Sequence, residues 1–293
     1  MSRRLFMLAA LAVGTAVHAG GAAAPELYAY CVGYGVPGVT PQPLPEQAAL
    51  LRELGYEGIG WELWPAAEVD ARLAELDAAK LSLHMVWTQV NVQPDHPQPY
   101  RPDLPEALRR LKGRPVTVCL LLPGLPPGDP RGMEPALRIL RELGDVAGEA
   151  DLRLSIYHHV TDWTERPDFA AQVADLAAHP RVGLSFNLCH WLKTEGGRAY
   201  EPFLRAQADR LFAVTINGAT MGATEWTNGL VRPLDEGDFD NRRLLALLDE
   251  IGYRGPIGLM CYGVPGDPRD LLERSRRVWQ GWHASFKTVG SVL

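Results

Sequence analysis

The chain has 293 residues, 46% of them hydrophobic and 22% charged, with a formal net charge of −6. That apolar content excludes a disordered chain, and that length buries a core without a metal or disulfide staple. The acidic balance argues against nucleic acid or an anionic membrane surface as partner.

Met1–Arg4 give a charged start, Leu5 to Val17 an apolar run too short to span a bilayer, and Val17-His18-Ala19 a small-residue cleavage site. Residues 1–24 therefore read as an export signal. Ser2-Arg3-Arg4-Leu5-Phe6-Met7 resembles the twin-arginine type, an ordinary secretory signal being the alternative. The expected location is periplasmic or secreted. No membrane attachment is expected after signal removal, because no cysteine follows the apolar run to carry a lipid.

From residue 25 onward short apolar runs alternate with amphipathic segments. The expected strands are Leu27–Val32, Gly58–Trp64, Leu81–Trp87, Val116–Leu122, Leu152–Val160, Val182–His190, Phe212–Asn217 and Ile257–Tyr262. Helices are expected over 45–54, 66–80, 105–112, 135–148, 167–178, 198–211, 241–251 and 270–282, several of them stopped by glycine, as at Gly55, Gly113 and Gly252. Eight such units without a long interruption predict a single (β/α)8 TIM barrel over residues 25–293. A doubly wound sheet has fewer strands, and neither GxGxxG nor GxxxxGK[ST] is present. Long loops over 94–105, 125–134 and 221–239 follow strands three, four and seven, on the face where such barrels build their sites. Each of Cys31, Cys119, Cys189 and Cys261 falls in an expected buried strand, which favours four free thiols over a pair such as Cys189–Cys261.

Strand parity sends the small and polar residues inward, and their last members to the C-terminal mouth. That set is Glu62, His84, Tyr157, His159, Asn187, Asn217 and Tyr262, with His190 joining where strand six gives way to a loop. His158, of opposite parity, reads as a core histidine bonded to backbone. Trp61, Trp64, Trp87, Trp163, Trp191 and Trp226 lie near strand ends, and aromatic faces among hydrogen-bonding groups suit sugars. Some of them, Trp61 first, are expected to be packing residues. Of four lysines only Lys193 sits just past a strand end, where it could hold a carbonyl or enolate oxygen.

Leu54-Gly55-Tyr56-Glu57-Gly58-Ile59-Gly60-Trp61-Glu62, Ser155-Ile156-Tyr157-His158-His159, Ser185-Phe186-Asn187-Leu188-Cys189-His190, Val214-Thr215-Ile216-Asn217-Gly218 and Leu234-Asp235-Glu236-Gly237-Asp238 follow one another in this order. Together they resemble the xylose isomerase-like barrels, the superfamily of sugar isomerases, sugar epimerases and family 2 AP endonucleases. The resemblance implies one divalent metal held by Glu, Asp, His and Glu on strands five to eight. Tyr157, Asn187, Thr215 and Met260 stand at those positions here, so this reads as a divergent branch with the usual ligands replaced and no cofactor expected. A rebuilt metal site would have to draw on His84, His159 and His190. What the resemblance implies is an isomerase or epimerase that removes a proton next to a carbonyl of a sugar, and the expected export makes that sugar an unphosphorylated one. Glu62 or His159 would be the base, with His190 and Lys193 as acid and oxyanion partner. Trp64, His84, Trp87, Tyr157, Asn187, Asn217 and Tyr262 would bind the substrate. The alternatives are a 3-keto-glycoside lyase or hydratase, and a non-catalytic carbohydrate-binding barrel. The expected partner is a small-molecule carbohydrate.

Overall fold

The computed structural model describes residues 25–289, with side chains as far as Trp282. The expected export signal lies outside the described residues. Eight strands run β1 Leu27–Tyr30, β2 Gly58–Glu62, β3 Ser82–Gln89, β4 Thr117–Leu121, β5 Arg153–Ile156, β6 Val182–Asn187, β7 Leu211–Ile216 and β8 Ile257–Met260. They close in chain order, and every neighbouring pair is parallel, including β1 with β8. The helices are α1 Leu44–Glu53, α2 Ala66–Ala79, α3 Leu104–Arg110, α4 Met133–Glu149, α5 Pro167–Ala177, α6 Leu188–Glu195, α7 Glu201–Ala206, α8 Asn241–Glu250 and α9 Pro268–Val289. The chain is a single (β/α)8 barrel, as the alternation predicts. Among the described residues no helix is long and apolar enough to cross a membrane.

Large side chains on β1 face glycines on both neighbours. Tyr28 is in register with Gly58 and Gly258, and Tyr30 with Gly60. A Cβ on Gly258 would lie 2.6 Å from the Tyr28 ring, and one on Gly60 2.9 Å from Tyr30. Bulk on one strand and its absence on the next is how a small lumen is filled. The Tyr28 hydroxyl donates to Met85 Sδ at 3.4 Å, and Cys119 Sγ lies 3.1 Å from Ser155 Oγ. All four cysteines are free, three of them buried and Cys31 half-buried. Burial pushes the Cys31 and Cys119 thiols up to about 12, which keeps them unreactive.

The structure departs from the sequence reading around β6. The strand ends at Asn187 rather than His190, because the Asn187 side chain caps a new helix and its Oδ1 accepts from the His190 N–H at 3.5 Å. The apolar pair Leu188-Cys189 is therefore in α6, a helix the sequence does not predict, and the one helix expected over 198–211 is shortened to α7 and a 3-10 turn, Ala208–Arg210, before β7 begins at Leu211. Likewise β5 stops at Ile156, which puts residues 157 to 160 in the loop that builds the mouth.

Candidate functional site at the barrel mouth

The segment after β5 is a loop in which almost every backbone donor is used. His159 N–H donates to the Tyr157 carbonyl at 2.8 Å, Asp162 N–H to the His159 carbonyl at 3.1 Å, and Trp163 N–H to the Leu122 carbonyl at 3.0 Å. Thr161 N–H donates to Glu165 Oε2 at 2.7 Å. Thr161 has φ +75°, a left-handed backbone that a β-branched residue rarely adopts. This reversal turns Asp162 back toward His159, and Asp162 Oδ1 lies 3.6 Å from His159 Nδ1.

His190 sits in the first turn of α6. Its ring is buried among His159 (centroids 4.6 Å apart), Trp226 (5.3 Å), Tyr157 (5.4 Å) and His158 (6.4 Å). The Val160 N–H donates to its Nδ1 at 3.2 Å. An acceptor Nδ1 means the neutral ring carries its proton on Nε2. Burial first, and then the neighbouring charges of His159 and His158, hold its pKa well below the ordinary histidine range. His190 is therefore a neutral imidazole. One helical turn on, Lys193 Nζ donates to the Thr224 carbonyl at 2.7 Å and lies 5.6 Å over the Trp226 ring. It sits on the rim with its charge already engaged.

On the far side of the barrel Glu62 ends β2 with its side chain exposed. Beside it Trp61 stacks on Trp64 at 6.5 Å and meets Tyr34 edge-on at 6.1 Å. Trp64 is buried and Trp87 half-buried, while Tyr262 is exposed and lies over Gly35. This wall is aromatic with one carboxylate, whereas the β5–β6 wall is made of imidazoles.

Several expected site residues fall elsewhere. His84 is at the opposite, N-terminal end: Glu26, which precedes β1, reaches its Nε2 at 2.8 Å, and a Cβ on Gly58 would strike its ring at 2.1 Å. The β2–β3 register slips at this point, pairing Ile59 with Leu83 and Gly60 with Met85, so His84 is the extra residue. It cannot join His159 and His190, and among the described residues no group of three or more His, Cys, Asp or Glu side chains is placed to hold a metal ion. Tyr157 and Asn187 do face the lumen, but both are buried and the Asn187 amide donates to the Tyr157 hydroxyl. They form the floor under the imidazoles rather than a surface for substrate. Asn217 is buried too, its amide donating to the Gly218 and Leu230 carbonyls at 2.8 and 2.7 Å to brace the loop after β7. Trp163 and Trp191 are packing residues, their indole N–H groups bonded to the Asp129 and Arg198 carbonyls. His158 is the core histidine expected: its Nε2 accepts from the Asn187 N–H at 3.2 Å, and burial pushes its pKa down to about 3. Asp162 escaped the sequence reading, although an aspartate three residues after a histidine at a strand end is a usable signal.

The positions that the resemblance assigns to metal ligands do not fit a divalent ion. Tyr157 and Asn187 are bonded to each other, Met260 offers a thioether, and the Thr215 hydroxyl is buried without a hydrogen-bond partner. None carries the negative charge or imidazole nitrogen that such ions require.

A closed parallel barrel with titratable groups gathered where β5 and β6 end is a TIM-barrel protein, and these groups lie at the face where such barrels build their sites. The chain belongs to the xylose isomerase-like TIM barrel family, whose sequence profile matches residues 48–281. No curated protein sequence matches it. Among solved structures it resembles a 3-keto-D-glucoside 4-epimerase from E. coli, with TM-score 0.70 and 13% identity over 88% of this chain and 100% of that one. It also resembles a xylose isomerase domain protein from Alicyclobacillus acidocaldarius, with TM-score 0.71 and 17% identity over 89% and 99%. A third is the D-allulose 3-epimerase from Methylomonas sp. in complex with D-allulose, with TM-score 0.66 and 16% identity over 88% and 96%. At these identities the likeness establishes the fold.

Proposed function

We propose that the protein is a sugar epimerase or isomerase that moves a proton on a carbon next to a carbonyl of an unphosphorylated sugar derivative. The observation that carries this reading is the pair of imidazoles at the mouth, with ring centroids 4.6 Å apart and His190 kept neutral. His159 takes the proton from carbon, the C–H electron pair becomes the new C=C bond, and charge moves onto the carbonyl oxygen. The His190 Nε2–H then donates to that oxygen. A neutral imidazole suits this donor role, since it holds its proton until the oxygen becomes basic. Return of the proton to the other face gives the epimer, and its return to the adjacent carbon gives the isomer. Glu62 is the second acid–base group, on the opposite wall, and the aromatic surface around it suits the apolar faces of a sugar ring.

Lys193 beside His190 is engaged by the Thr224 carbonyl and Trp226, which leaves it poorly placed for a phosphate. The export-like N-terminus supports the same substrate choice, because sugar phosphates are cytoplasmic. The epimerases whose fold this chain resembles support the reaction class.

The test is incubation of the protein in D2O with a panel of free ketoses and 3-keto-glycosides, followed by proton NMR. The expected result is deuterium exchange at one carbon next to a carbonyl, abolished in His159→Ala. Binding without exchange across the panel would replace this reading with a carbohydrate-binding barrel. Release of the aglycone would replace it with a lyase.

A further inference from the structure

We infer that Asp162 is a positioning residue that holds His159 as the Nδ1–H tautomer and so leaves Nε2 as the base. The inference rests on the reading of the mouth just proposed and adds the group that sets its polarity.

His159 Nδ1 and Asp162 Oδ2 are both buried and without hydrogen-bond partners, and Asp162 Oδ1 is 3.6 Å from that same Nδ1. The Asp162 side chain is 11% exposed, and His159 is the only basic group within ion-pair distance among the described residues. A buried carboxylate with one nitrogen before it is stabilised by an N–H there and destabilised by a lone pair. At 3.6 Å the contact is longer than a hydrogen bond, and contacts of this kind tighten when substrate fills a site. The loop holds both groups in place through the left-handed Thr161 between them, pinned by Glu165, and through Val160, pinned by His190. Strain of this kind persists where the surroundings over-determine it.

The two rings are then unlike by construction. The backbone N–H of Val160 makes His190 an Nε2–H donor. The carboxylate of Asp162 makes His159 an Nδ1–H ring with a free Nε2. One ring offers the lone pair that takes a proton from carbon, and the other offers the N–H that meets the oxygen.

The experiment is a long-range proton–nitrogen correlation spectrum of the histidine-labelled protein at alkaline pH, with His159 assigned by its loss in His159→Gln. The inference expects a pyrrole-like Nδ1 and a pyridine-like Nε2 for His159. Asp162→Asn, whose amide can donate to Nδ1, should move the ring toward Nε2–H and lower kcat by about 10²-fold or more with KM little changed. Asp162→Glu should restore part of both. An Nε2–H tautomer in the parent protein would overturn the inference without any variant having to fold, and so would an unchanged tautomer in Asp162→Asn. The tautomer reads the inference and deuterium exchange reads the proposed function, so the failure of one is distinguishable from the failure of the other.

Discussion

The barrel holds an imidazole beside a carboxylate at each end, and the two pairs are built in opposite ways. At the base the ring is the buried partner: His84 is 5% exposed and Glu26 is 55% exposed, 2.8 Å apart. At the mouth the acid is the buried partner: Asp162 is 11% exposed and His159 is 37% exposed, 3.6 Å apart. An exposed acid on a buried ring leaves only the carboxylate at the surface and keeps the imidazole out of reach of solvent. A buried acid under a half-exposed ring fixes that ring while leaving its other nitrogen open. The same two functional groups make a plug in one case and, in the function proposed above, a poised base in the other, and the difference lies in which of them is desolvated.

The largest expected effect follows from this asymmetry. His159→Gln should lower turnover by about 10²- to 10⁴-fold, the range for loss of a general base, whereas His84→Gln should leave turnover unchanged. Steady-state kinetics on both variants checks this. A large loss in His84→Gln, with the fold intact by circular dichroism, would break the comparison.

Next comes acid sensitivity. Burial pushes His158 down to about 3 and also holds His190 and His84 below the ordinary histidine range. Once unfolded, these rings take up protons near pH 6.5, as free histidines do. Below that pH the unfolded state binds more protons than the folded one, so stability is full above about pH 6.5 and falls with falling pH. For His158 the loss continues until the pH reaches about 3. Each such ring contributes about 1.4 kcal/mol per pH unit within its window. Urea unfolding between pH 7 and about 5, a span above the range where ordinary carboxylates titrate, should show this slope. It should be shallower in His158→Gln, and an unchanged slope in that variant would show that His158 does not stay neutral in the folded protein.

A smaller effect belongs to the base alone. A Cβ at Gly58 would lie 2.1 Å from the His84 ring and 2.8 Å from the Ser82 carbonyl oxygen, which is backbone and gives way poorly. Gly58→Ala should therefore cost about 1–3 kcal/mol of stability, the usual cost of overpacking, and leave the kinetics at the mouth unaltered. Chemical denaturation together with kinetics separates the two.

The eight units were legible in the sequence because apolar runs alternate with glycine-stopped helices and because small residues such as Gly58, Gly60 and Gly258 share the inward parity. His159 and His190 were legible as candidates from their places at the ends of the expected strands five and six. Position along a strand was not. Period-two parity assigns a face but carries no depth, so Tyr157 and Asn187 appeared as mouth residues when they form its floor. The same lack of depth misplaced His84, which stands near the start of β3 and so at the base of the barrel, and the one-residue slip in register beside it is equally invisible to parity. Asp162 depends on the left-handed turn at Thr161, and a Val-Thr-Asp sequence gives no local reason to expect one.

The smallest effect concerns Lys193, which the sequence places among the catalytic groups. Its ammonium donates to the Thr224 carbonyl at 2.7 Å and lies over Trp226, the ring that in turn meets His190 at 5.3 Å. An exposed cation engaged in this way loses a contact worth about 1 kcal/mol or less when it is replaced. Lys193→Met keeps the length and the apolar stem, so the Trp226 ring stays covered and the seat of His190 is preserved. Its kcat/KM should fall by less than about tenfold, most of the loss appearing in KM as the loop over 217–240 loosens. A loss in kcat as large as that of His159→Gln would instead place the ammonium on the reacting oxygen. The oxygen-holding role would then pass from the buried neutral ring of His190 to the exposed charge one helical turn away.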